Sequence, residues 1–188
     1  MVAQLNPPRI QRDWRPIVRD FEAALGKQSV TRRKEELLVY ECDGLTSYRQ
    51  RPAVVVLPRT TEQVAEAVKI CDRHNVSFVA RGAGTGLSGG ALPLEDAVLI
   101  VTAPMNQILN VDLDNQRVTV QPGVINNWVT QAVSGQGFYY APDPSSQSVC
   151  SVGGNVAENS GGVHCLKYGV TTNHVLGLKL VLPNGDIV

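Results

Sequence analysis

Five glycines fall within the ten residues Arg81-Gly82-Ala83-Gly84-Thr85-Gly86-Leu87-Ser88-Gly89-Gly90. Glycine accepts positive φ and lets other atoms come close to the backbone, so successive N–H groups in such a run can converge on one anion. A diphosphate is the natural guest. Arg81 at the mouth would add a permanent cation with bidentate reach, and the Thr85 and Ser88 hydroxyls would add donors. The plainer alternative is a flexible surface turn. An apolar, strand-like run immediately before the loop and an arginine at its start favour the anion site.

The type of diphosphate follows from context. Gly84-Thr85-Gly86-Leu87-Ser88-Gly89 satisfies GxGxxG, but the dinucleotide fingerprint needs those glycines to open a helix, with an acidic residue about 20 positions further on. Here Gly90-Ala91-Leu92-Pro93 follows, a poor helix start. No Lys-Ser or Lys-Thr pair completes an NTPase loop. Both NAD and NTP sites are disfavoured.

A second constellation runs Ser151-Val152-Gly153-Gly154-Asn155-Val156-Ala157-Glu158-Asn159-Ser160-Gly161-Gly162, preceded by Pro142-Asp143-Pro144. Its two Gly-Gly pairs leave room for a flat ring. Asn155 and Asn159, four apart, would face the same way on a helical turn and address the ring's polar edge. The bland reading is a tight turn whose asparagines cap their own backbone. Other reactive side chains carry less. His164 beside Cys165 has no third ligand or base that the sequence places, His74 reads as a helix-end residue, and His174 reads as a turn residue. No catalytic acid or base and no metal site is assigned.

These loops need elements to hold them. Val54-Val55-Val56-Leu57 reads as a buried strand. Thr60 with Gln63 offers a capping box for a helix whose inner face is Val64, Ala67, Val68 and Cys71. Val76–Ala80 reads as a second strand, completing a β-α-β unit that delivers the glycine loop. Further strands are expected at Ala97–Val101, Val111–Leu113 and Arg117–Gln121, and a helix at Ile125–Val133. Tyr140–Gly162 reads as a long irregular loop, Val175–Leu182 as an alternating strand, and Pro183-Asn184-Gly185 as a hairpin turn. Before all this, Arg9–Leu25 has helical apolar spacing (Ile10, Trp14, Ile17, Val18, Phe21, Ala24, Leu25) with Gly26 as C-cap, and a short helix follows Thr31 to about Tyr40. The expected division is a helical lead-in over residues 1–50 and a main domain over 51–188 that stops short at its C-terminal end.

Composition narrows the class. With 43% hydrophobic and 18% charged residues and a net charge of zero, the chain reads as an ordinary globular protein without the basic excess of a nucleic-acid binder. Four scattered cysteines without a CxxC pair suggest free thiols in a reducing cytoplasm. No apolar run approaches the roughly 20 residues of a transmembrane helix, and no signal-peptide core is present.

The pairing of Arg-Gly-x-Gly-Thr-Gly with Pro-Asp-Pro and Gly-Gly-Asn-x-x-x-Asn-x-Gly-Gly resembles the FAD-binding domain of the vanillyl-alcohol oxidase / p-cresol methylhydroxylase type. It is most similar to the FAD-linked 2-hydroxy-acid dehydrogenases, and Glu36–Leu45 is similar to the lead-in of glycolate oxidase FAD subunits. The resemblance implies an α+β fold of α/β type, with two α/β subdomains and FAD extended between them. It implies that Arg81, Gly82, Ala83, Gly84, Thr85 and Gly86 hold the pyrophosphate. Pro142, Asp143, Gly153, Gly154, Asn155, Asn159 and Gly162 would line the ribityl chain and isoalloxazine, with Val175 near the adenine end. Thr85 stands where some relatives carry a flavin-linked histidine, so the FAD should be non-covalent. The implied function is oxidation of a small 2-hydroxy acid, glycolate or D-lactate, with electrons passed to an iron–sulfur subunit and a quinone. The substrate cap, with its catalytic residues, would lie beyond Val188, leaving residues 1–188 alone inactive and weak in FAD binding. A non-catalytic FAD-binding accessory subunit is the rival reading, and a cell-wall precursor reductase of the same fold fits the asparagines and the lead-in less well.

Overall fold

A computed structural model describes residues 12–188. Its frame is a four-stranded mixed sheet in the order β1-β2-β4-β3. The strands are β1 (Val30–Thr31), β2 (Val54–Val56), β3 (Phe78–Arg81) and β4 (Val98–Val101). β2, β4 and β3 run parallel, while β1 pairs antiparallel with β2 (Val30 opposite Val56). The three valines of β2 and all four residues of β4 are buried, as continuous apolar runs covered on both faces should be.

One face is covered by helices α1 (Trp14–Leu25) and α3 (Thr61–Arg73). Trp14, Ile17, Phe21 and Leu25, at helical spacing, meet Ala67, Val68, Ile70 and Cys71 over Val54, Val56, Val98 and Ile100. The other face carries Val55, Leu99 and Val101 against Leu37 of α2 (Lys34–Leu37), with Tyr40 nearby. The lead-in therefore supplies a strand and a helix to each face of the sheet. Past β4 come the antiparallel hairpin β5 (Ile108–Asp112) and β6 (Arg117–Val120), then α4 (Asn126–Val133), α5 (Val152–Glu158) and α6 (Cys165–Tyr168).

Several expectations change. The strands flanking α3 are parallel, as a β-α-β unit requires, with β4 lying between them; periodicity identifies strands but not their order. The inner face of α3 rotates to Ala65, Ala67, Val68, Ile70 and Cys71, leaving Val64 only half-buried. Thr60 caps the amide of Gln63 (3.2 Å), yet the Gln63 side chain reaches back to Arg59 rather than Thr60, one residue beyond a capping box. Helix α1 begins at Trp14, capped by Asp13; residues 9–11 of the expected helix, with Ile10, lie outside the described residues. The stretch 140–162 is not wholly irregular, since α5 occupies its second half. Val175–Leu182 forms no regular strand: ladder bonds appear only between Leu180 and Val188 and at Leu182, closing on the Pro183-Asn184-Gly185 turn.

Candidate functional site

β3 delivers the glycine loop. The ladder ends where Thr102 donates to the Arg81 carbonyl (2.9 Å), and from there the chain leaves the sheet. No backbone N–H from Gly82 to Ser88 donates to another described residue. Unpaired amides in succession are strong donors seeking an acceptor. Gly86 and Gly89 face open space, and Gly84 has φ of 72°. The loop therefore carries a run of unpaired amides beside open space.

Arg81 is not at its mouth. The residue is buried, with Nη1 donating to the carbonyls of Cys42 (2.8 Å) and Ala91 (3.4 Å), and its guanidinium sits 5.8 Å from the Tyr40 ring centroid. The guanidinium lies directly beneath Gly84, where any Cβ would collide with it. Burial pulls its proton affinity down, partly offset by Cys42 and Asp43. The cation therefore braces the loop through the Cys42 and Ala91 carbonyls and its packing on Gly84.

The second constellation faces the first. A Cβ on Gly82 would strike Ser151 Oγ, and one on Gly90 would strike the Glu158 carboxylate, so the two glycine motifs are in contact. Ser151 caps α5 by accepting from Gly154 N–H (3.4 Å). The two asparagines do not share a face. Asn155 is buried and its Nδ2 donates to Asn126 Oδ1 (2.8 Å), while Asn126 Nδ2 donates to the Pro142 carbonyl (2.9 Å). Asn159 ends α5 in the left-handed region (φ 50°), and its Oδ1 accepts from Thr172 N–H (3.0 Å). A helix this short ends before the second asparagine completes the turn, which defeats the four-residue spacing. Asn155 thus ties Gly153-Gly154 to Pro142-Asp143 through Asn126, a relay that no periodic signal marks beyond its Asn-Asn pair at a helix start.

Asp143 accepts from His164 N–H (3.1 Å) and lies 2.8 Å from His164 Nδ1, the partner that the sequence did not place. Gly162 packs so tightly on the Asp143 backbone that a side chain there would collide with it. Gly153 lies against Pro122 in the same way, its N–H bonded to the Pro122 carbonyl (2.8 Å). Val175, following the turn Thr171–His174, donates its N–H to the Thr172 carbonyl (3.4 Å). His74 pairs with Asp20 (2.7 Å) and His174 with the Tyr168 carbonyl (3.0 Å); both serve structure. Among the described residues, no cluster of three metal-ligating side chains occurs and no helix is long and apolar enough to cross a membrane.

A row of free amides in an open loop, backed by a buried cation and facing a second small-residue motif, fits the diphosphate and flat ring of a large nucleotide cofactor. That defines a nucleotide-cofactor domain of mixed α/β build. The FAD binding domain family matches residues 52–188, and the chain belongs to that family. The chain is 55% identical over 152 residues to the glycolate oxidase subunit GlcD of Escherichia coli (strain K12), covering 81% of this chain and 30% of that protein. It is 42% identical to the D-lactate dehydrogenase of Anaerostipes hadrus, covering 74% of this chain and 29% of that one. The fold matches p-cresol methylhydroxylase with substrate bound at a TM-score of 0.77 and 23% identity, over 92% of this chain and 34% of that one. The chain thus spans about 30% of the length of these curated relatives.

Proposed function

We propose that this chain is the FAD-holding part of an oxidoreductase that converts a small 2-hydroxy acid, glycolate first and D-lactate second, to the 2-oxo acid. The observation that carries the reading is the contact between the two glycine motifs through Gly82–Ser151 and Gly90–Glu158. It makes one continuous lining for a ligand long enough to need both. The identity to named glycolate and lactate enzymes supports the substrate class.

In this reading Arg81, Gly82, Ala83, Gly84, Thr85 and Gly86 hold the pyrophosphate, with the free amides donating and Arg81 fixing their shape. Pro142, Asp143, Gly153, Gly154 and Gly162 line the rest of the cofactor, positioned by Asn155 and Asn159, while Val175 serves its adenine end. Bound flavin supplies a two-electron acceptor for the substrate's C–H hydrogen. The chain's residues bind and orient it. Thr85 offers no ring nitrogen for a covalent link, so the FAD is held non-covalently. An iron–sulfur subunit and a quinone receiving the electrons, and a cytoplasmic setting, complete the proposal.

The test uses the full gene product. Purified protein should be yellow, release FAD intact on acid precipitation, and lose its flavin absorbance anaerobically on adding glycolate or D-lactate. Retention of colour with both acids overturns the substrate assignment. Flavin that stays with the precipitated protein overturns non-covalent binding.

A further inference from the structure

The matched family domain begins at residue 52, but the glycine loop does not stand on that domain alone. Three contacts reach it from the lead-in. Gly44 N–H donates to the Gly86 carbonyl at 2.9 Å. A Cβ on Gly44 would lie 2.7 Å from the Thr85 carbonyl oxygen and 2.8 Å from that of Gly86, so only glycine permits the approach. The Cys42 carbonyl accepts from Arg81 Nη1 at 2.8 Å, fixing the guanidinium under Gly84.

Between these two contacts sits Asp43, which is 5% exposed. Its Oδ1 accepts from Leu45 N–H at 2.9 Å, shaping the turn that brings Gly44 inward. Its Oδ2 is buried without any hydrogen-bond partner. A buried carboxylate with an oxygen left unpaired is costly unless a nearby charge compensates it. Asp43 is among the groups whose charge supports Arg81, and the buried cation and carboxylate offset each other behind the cradle.

Binding an anion needs the free amides of Gly82–Ser88 aimed inward together, and a glycine-rich run cannot hold such a shape by itself because its backbone entropy is high. The Thr85 and Gly86 carbonyls, turned outward onto Gly44, leave the neighbouring amides turned in. We infer that Cys42–Asp43–Gly44, outside the matched domain, is the back wall of the cofactor site, with Gly44 a positioning residue for the diphosphate of FAD. Cofactor binding and the order of the lead-in are then one coupled event. This inference rests on the FAD-binding family and not on the oxidation of any particular acid.

The experiment uses the full gene product, stripped of flavin, with FAD and inorganic pyrophosphate as probes. Gly44→Ala is expected to weaken FAD binding at least tenfold, raise the inhibition constant of pyrophosphate in parallel, and move the phosphorus resonances of bound FAD. Phe21→Leu, in the core between α1 and the sheet, serves as the control: it lowers the ligand-free melting temperature and leaves those resonances in place. FAD affinity within threefold of the unaltered protein, with unshifted resonances, in Gly44→Ala overturns the inference. A second measurement needs no variant. FAD should slow amide exchange at residues 42–45 together with 82–88, and protection of 82–88 alone overturns the coupling.

Discussion

At the scale of single residues, the site is built from close approaches more than from charged groups. Gly162→Ala would push a methyl into the Asp143 backbone, which cannot swing aside as a side-chain end could. Overpacking of this kind costs about 1–3 kcal/mol, and urea unfolding should show a loss in that range. Asn126→Leu removes the middle of the Asn155–Asn126–Pro142 relay and strands buried polar atoms on both sides. Such orphaned groups cost about 1–3 kcal/mol each, so this variant should lose stability and, in the full gene product, FAD affinity. The glycines were legible in the sequence because few residue types can replace them at close contacts. Asn126 was not, since a buried amide pairing across 29 positions leaves no periodic trace. Arg81 was legible as important but not in direction: the sequence places its backbone, whereas the Cys42 and Ala91 carbonyls decide where its guanidinium goes.

At the scale of elements, the local signals held where packing agreed with them. Helices α1 and α3 were readable from apolar spacing and from their caps, Thr60 and Gly26. Sheet order was not, because β2 and β3 are both suited to a parallel sheet whether or not a third strand divides them. The two helices are also tied at the surface by Asp20 on α1, with His74 at the end of α3 (2.7 Å) and Arg73 (3.6 Å). The bond from His74 holds the Asp20 carboxyl below its ordinary value of 3.8. A depressed carboxyl contributes stability that is present above its unfolded value and lost as pH falls through its folded value. Unfolding midpoints should therefore decline below about pH 4, and Asp20→Asn should flatten that decline by lowering the neutral side while leaving the acid side little changed. The thiols give a second check. Burial pushes Cys71 up to about 12, and Cys150 is 2% exposed. A thiol reagent should modify the half-buried Cys42 and Cys165 in the native protein and reach Cys71 and Cys150 only on unfolding. Modification of Cys71 at the rate of Cys42 would contradict the packing of α3.

At the scale of the whole molecule, FAD binds the folded form and so raises its stability, by about 2.7 kcal/mol at one hundred times the dissociation constant. The strand order determines how that gain appears in time. Among the described residues β3 lies at the sheet edge and pairs with β4 alone, the strand that follows the glycine loop in sequence. Both ends of the loop are anchored only when β4 lies between β2 and β3, and the prediction is that this receptor is completed after the transition state for folding. A ligand that recognises a late-forming feature lowers the native state without lowering the barrier to reach it. Saturating FAD should thus slow unfolding in stopped-flow denaturant jumps and leave the refolding rate of the stripped protein unchanged. The cofactor would act as a latch on a finished sheet rather than a template for making one.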